Sequence, residues 1–99
     1  MWPSWLRALR AAPPATLDEL RPHADGEALW LRCTHPKCTH CQDLQSEGRL
    51  AAFEADKAHV VAWDCSRERQ RELAKRAGVR DLPAYIRVPH RGDAEVVTL

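Results

Sequence analysis

Four cysteines stand at positions 33, 38, 41 and 65, and Cys38-Thr39-His40-Cys41 has the two-residue spacing that lets two sulfurs close into a disulfide. The species that attacks a disulfide is the thiolate, so a catalytic cysteine needs surroundings that favour S⁻ over SH at neutral pH. A helix N-terminus supplies them, through unpaired backbone N–H groups and the positive end of the macrodipole. The sequence predicts a helix starting between Cys38 and Cys41, with Lys37 beside the first sulfur and His40 between the two. His40 adds a donor, or a positive charge when protonated. The same cysteines permit a second chemistry. Cys33-x4-Cys38-x2-Cys41 with Cys65 downstream has the spacing of a 2Fe-2S site, and the four thiolates also suit zinc, with His35 and His40 enlarging the donor pool.

The elements that must position these residues follow from hydrophobic pattern and punctuation. Trp2, Trp5, Leu6 and Leu9 recur at helical spacing with Pro3 in the first turn, predicting a short amphipathic helix over 3–10. Ala11-Ala12-Pro13-Pro14-Ala15 reads as a linker. Thr16 with Glu19 forms a capping-box signature, predicting a helix from Thr16 to about Arg21 that Pro22 ends. Glu27 to Cys33 reads as a buried strand, Thr34 to Lys37 as a loop, and 38–56 as a helix that Gly48 bends or breaks. His59 to Asp64 is a second strand, and Ser66 is placed to cap a charged helix over 67–77 with Gly78 behind it. Ala84 to Val88 and Ala94 to Leu99 are strands joined by a turn, Pro89 to Asp93. The order β-α-β-α-β-β implies a parallel crossover followed by an antiparallel hairpin in one α/β sheet of about four strands. Arg91-Gly92-Asp93 is turn composition, and His23, His59 and His90 fall in turns or at a strand start, where solvation is the expectation.

With these elements in place, residues 16–99 resemble the thioredoxin family. Two features carry the resemblance: Cys38-Thr39-His40-Cys41 at a strand-to-helix junction, and Gly78-Val79-Arg80-Asp81-Leu82-Pro83-Ala84-Tyr85-Ile86, which matches the family's segment around its cis-proline. The resemblance implies a thioredoxin fold and a thiol–disulfide oxidoreductase engaged in electron transport, with no cofactor beyond the redox-active Cys38–Cys41 disulfide. Cys38 would attack a substrate disulfide and Cys41 would resolve the mixed disulfide. Pro83 would be cis and lie against the cysteine pair, and Leu82 would pair through its backbone with an extended substrate, flanked by Thr39 and Lys37. Family members with His between the cysteines are more oxidising than thioredoxin, because thiolate stabilisation also favours the reduced form. The implied partners are protein or small-molecule disulfides and dithiols and a recycling reductase or oxidase. The metal reading leaves Val79 to Pro83 and the hairpin unexplained.

The chain departs from the family in three places. Lys37 replaces the tryptophan before the first cysteine, and Arg32 stands where thioredoxins carry a buried aspartate, so the proton acceptor for Cys41 is open between Glu27 and a water. The family's C-terminal helix has no counterpart, and the N-terminal helix with Trp2 and Trp5 is the expected cover for that face. Cys33 and Cys65 close two parallel neighbouring strands. They are either a second disulfide or thiol pair, at the roughly 4 Å Cβ separation a disulfide needs, or two buried thiols acting as small hydrophobes.

Composition frames the rest. A chain of 99 residues with 44% hydrophobic content suits one domain, here 1–15 as helix and linker and 16–99 as core. Fifteen Lys and Arg against fourteen Asp and Glu give no electrostatic reason to expect nucleic acid or an anionic membrane as a partner. The Trp- and Arg-bearing N-terminal helix is too short for more than weak membrane-surface binding. Arg7 and Arg10 interrupt any secretory apolar run, so a cytoplasmic monomer is the expectation.

Overall fold

The computed structural model describes residues 16–24 and 28–99. The predicted N-terminal helix with Trp2 and Trp5, the linker after it and Glu27 lie outside the described residues. A four-stranded mixed sheet carries the fold, with strands β1 (Leu29–Thr34), β2 (His59–Asp64), β3 (Ala84–Val88) and β4 (Glu95–Thr98) in the order β2-β1-β3-β4. β1 runs parallel to β2 and antiparallel to β3, which pairs antiparallel with β4. The parallel pair is joined by helices α1 (Thr39–Ser46) and α2 (Arg49–Glu54), and α3 (Glu68–Ala77) links β2 to β3. This is a thioredoxin-like architecture, with β1 and β3 its two inner strands.

Alternation along β1 divides the interior into two halves. Leu29, Leu31 and Cys33 point into a core built with Val61, Trp63, Cys65, Ile86 and Val88 from neighbouring strands and Leu73 and Ala74 from α3. The indole of Trp63 is buried there, and its N–H donates to the Gln70 carbonyl of α3 at 2.9 Å. On the opposite face Tyr85 packs with Leu44 of α1 and Leu50 of α2, bordered by half-buried Trp30 and Phe53. Burying about ten large apolar side chains at about 1.5–3 kcal/mol each gives both halves ample drive to form.

Several predicted boundaries move for local reasons. The helix expected over 38–56 is two helices, because Gly48 sits at φ 74°, a left-handed conformation that ends one helix and starts the next. The helix expected from Thr16 to Arg21 is instead two 3-10 turns, Leu17–Glu19 and Arg21–His23. Thr16 makes no side-chain cap, and Pro22 lies within the second turn, where its missing N–H is not needed. Arg21 holds these turns by donating to Asp18 and to the Pro89 carbonyl. Ser66 does not cap α3: its hydroxyl donates to Asp64 at 2.6 Å, and Arg67 occupies the cap position. Gly78, at φ 105°, closes α3, with its N–H donating to Lys75 and the Val79 N–H to Ala74.

Candidate active site

β1 ends at Thr34, and α1 begins five residues later at Thr39, so the sheet delivers the chain to a helix N-terminus capped by Cys38. The intervening turn is tied by three bonds. Cys38 N–H donates to the His35 carbonyl at 3.0 Å, Lys37 N–H to His35 Nδ1 at 3.0 Å, and Gln42 Nε2 to the Pro36 carbonyl at 2.8 Å. Cys38 is the N-cap of α1, in extended conformation, and its sulfur accepts the Cys41 N–H at 3.1 Å. The sulfur therefore fills the place of a capping oxygen and takes one of the orphan donors of the first turn. Cys38 and Cys41 form a disulfide with their Cα atoms 5.2 Å apart.

The two sulfurs differ in exposure: Cys38 is half-buried, whereas Cys41 is 4% exposed. Lys37, Thr39 and His40 are exposed around the pair. Across from Cys38 lies the carbonyl of Leu82, 3.8 Å from the sulfur. The Leu82–Pro83 bond is cis, Pro83 is fully buried, and its carbonyl accepts the Leu99 N–H at 3.2 Å. The turn before β3 thus borders the helix start, bringing residues 82 and 83 to the Cys38–Cys41 pair.

Cys41 faces an open groove of about 290 Å³ that Thr34, His35, Gln42, Gln45 and Asp64 help to line. Hydrogen bonds from the Ser66 hydroxyl and amide, with the charges of His35 and Arg67, hold the Asp64 carboxyl below the usual carboxylate range. Sequence reasoning assigned no role to Asp64, because a polar residue ending a strand is ordinary composition.

Arg32, at the position of the family's buried aspartate, is paired rather than orphaned. Its Nη1 lies 3.0 Å from both Glu54 oxygens, and Glu54 also accepts the Tyr85 hydroxyl at 2.6 Å. Burial, then the Glu54 carboxylate beside it, pushes the Tyr85 hydroxyl well above its ordinary value. A carboxylate thus reaches this region from α2, 22 residues along the chain. The only sequence signal was Arg32 itself, a cation on a buried strand that needs a partner.

Cys33 and Cys65 are free thiols buried on the other side of β1, and neither lines the groove of Cys41. The four cysteines therefore divide into two pairs instead of converging on one ion, and among the described residues no three His, Cys, Asp or Glu side chains gather as a metal site requires. Among those residues no helix is long and apolar enough to cross a membrane.

Neither a family model nor a curated protein sequence matches the chain. Among solved structures, the J-Trx1 fragment of ERdj5 superposes over 84% of this chain with a TM-score of 0.57 and 26% sequence identity. The chain spans 41% of the length of that structure. In its sheet order, its strand-to-helix junction and the Cys-x-x-Cys disulfide placed there, the chain is thioredoxin-like.

Proposed function

We propose that the chain is a thiol–disulfide oxidoreductase that exchanges electrons with protein or small-molecule disulfides and dithiols through Cys38 and Cys41. The observation that carries this reading is the disulfide at the start of α1, with one sulfur half-buried and capping the helix and the other buried behind it.

After reduction, the Cys41 N–H and the free N–H groups of the first turn stabilise negative charge on Cys38. Cys38 attacks a substrate disulfide, forming a mixed disulfide and releasing the first substrate thiolate. Cys41 then loses its proton and attacks the Cys38 sulfur, which closes the Cys38–Cys41 bond and releases the second thiolate. The reverse sequence oxidises a dithiol. Lys37, exposed beside the pair, favours an anionic leaving group by charge, and exposed His40 adds a hydrogen-bond donor. The Leu82 main chain, next to Cys38, gives an extended peptide a place to pair, so recognition rests on backbone more than on side chains. A separate reductase or oxidase returns the pair to its working state.

The buried position of Cys41 makes the two steps separable. With a peptide disulfide as probe, Cys41→Ser should stop at a mixed disulfide on Cys38, identified by peptide mass spectrometry, while Cys38→Ser should form none. A trapped adduct on Cys33 or Cys65 instead would reject this division of roles.

A further inference from the structure

Cys33 and Cys65 are not used by that mechanism, yet they are placed for chemistry with each other. β1 and β2 run parallel with Cys33 opposite Trp63 and Thr34 opposite Asp64, and the pairing continues one residue further, where the Cys65 N–H donates to the Thr34 carbonyl at 2.8 Å. Cys65 therefore sits two residues beyond Trp63 on the same face as Cys33, its diagonal neighbour across two tightly bonded strands. Both thiols are buried, at 0% and 4% exposure, within one apolar cluster, and both are free. Each thiol is near enough to shift the ionisation of the other. A diagonal pair of this kind lies about 7–8 Å apart at Cα, so closing a bond draws Cys65, just past the end of β2, toward β1 by about 1 Å.

We propose that Cys33 and Cys65 are a second dithiol–disulfide couple, oxidised by a small disulfide such as glutathione disulfide, whose bond staples the carboxyl ends of β1 and β2 beneath the turn that presents Cys38. The two sulfurs have different roles. The neighbouring Cys65 thiol, then burial, keeps Cys33 protonated. Cys65 is favoured as the thiolate by its neighbour Cys33 and then by Arg71, and it adjoins the exposed Ser66, so it ionises more readily and attacks first. Its thiolate forms a mixed disulfide and expels one glutathione thiolate. Cys33 passes its proton to a departing thiolate and attacks the Cys65 sulfur, expelling the second. The sum is two protein thiols plus one glutathione disulfide giving one protein disulfide plus two glutathione thiols.

The test uses the full chain with Cys38→Ser and Cys41→Ser combined, so that only this pair can react. The variant is equilibrated across a glutathione redox series, acid-quenched, alkylated in denaturant and mapped by peptide mass spectrometry, with the unsubstituted chain mapped in parallel. The expected result is loss of two thiols together and a linked peptide joining Cys33 to Cys65 in both proteins. In a further Cys33→Ser variant, Cys65 should stop as a stable glutathione adduct. Two thiols that stay free at the most oxidising point, or a lasting adduct on Cys65 while Cys33 is present, would overturn the proposal. Because Cys38 and Cys41 are absent from the main test, its failure leaves the exchange reaction proposed above unaffected.

Discussion

Two cysteine pairs gather near the carboxyl end of β1, and their surroundings differ in the ways that decide what a sulfur does. Cys38 and Cys41 sit where β1 has ended and α1 is starting, so one sulfur meets unpaired N–H groups at the edge of solvent. Cys33 sits within β1 and Cys65 directly after β2, both buried, and their sulfurs meet carbonyls two residues back, Leu31 and Trp63, at 3.8 and 4.0 Å. A helix start offers unpaired N–H groups to a thiolate, whereas a strand has already spent its own on the sheet. Reactivity is therefore allotted by position in the fold, and the residue type alone does not carry it.

The largest effect separating the pairs should be on turnover. Cys38→Ser should reduce disulfide exchange to the uncatalysed rate, and Cys33→Ser should keep most of it, as measured by reduction of a peptide disulfide. A comparable loss in both would make the pairs one site.

A second way to sharpen the contrast is to compare alkylation rates in the reduced native protein. At pH 6.5 Cys38 should react at least about 100-fold faster than Cys65 or Cys33, because a buried thiol must wait for local opening. Denaturant should remove the difference.

Stability should rank the pairs the other way round. Cys33→Ser puts a hydroxyl among Leu31, Trp63 and Ile86 and should cost about 1–3 kcal/mol in urea unfolding of the reduced protein. Cys38→Ser, at a helix cap that serine fits well, should cost less than about 0.5 kcal/mol.

The smallest effect tests the face behind the active site. The hydroxyl of Tyr85 is held protonated in the folded protein above its unfolded value, so its contribution is complete below about pH 10 and is lost as pH rises beyond that. Tyr85→Phe should cost about 1 kcal/mol at pH 7 and flatten the alkaline fall in stability, since phenylalanine has no proton to lose. An unchanged alkaline slope would mean that the bond to Glu54 does not set it.

Much of this arrangement is legible in the sequence because it is written locally. The branched and aromatic runs at 59–64 and 84–88 coincide with β2 and β3, and the left-handed glycines 48 and 78 punctuate helices where no side-chain-bearing residue fits easily. Turns and caps were harder, because Thr16, Pro22 and Ser66 each have several local partners and the tertiary fold chooses among them: Arg21 reaches Pro89, and Ser66 turns back to Asp64. The Arg32–Glu54–Tyr85 network was out of reach, since nothing local links positions 32, 54 and 85. The convergence of His35 and Asp64 on the groove beside Cys41 likewise exists only once β1 and β2 are paired.

The most direct measurement of the central claim is quantitative alkylation with mass spectrometry across a glutathione redox series, with metal content determined on the same sample. The expected result is a two-electron transition linking Cys38 to Cys41, distinct from any that joins Cys33 to Cys65, with Cys38 the fastest-reacting thiol below pH 7. Protection of Cys33, Cys38, Cys41 and Cys65 together, released only by chelator or acid, would contradict it and assign the four sulfurs to one metal centre.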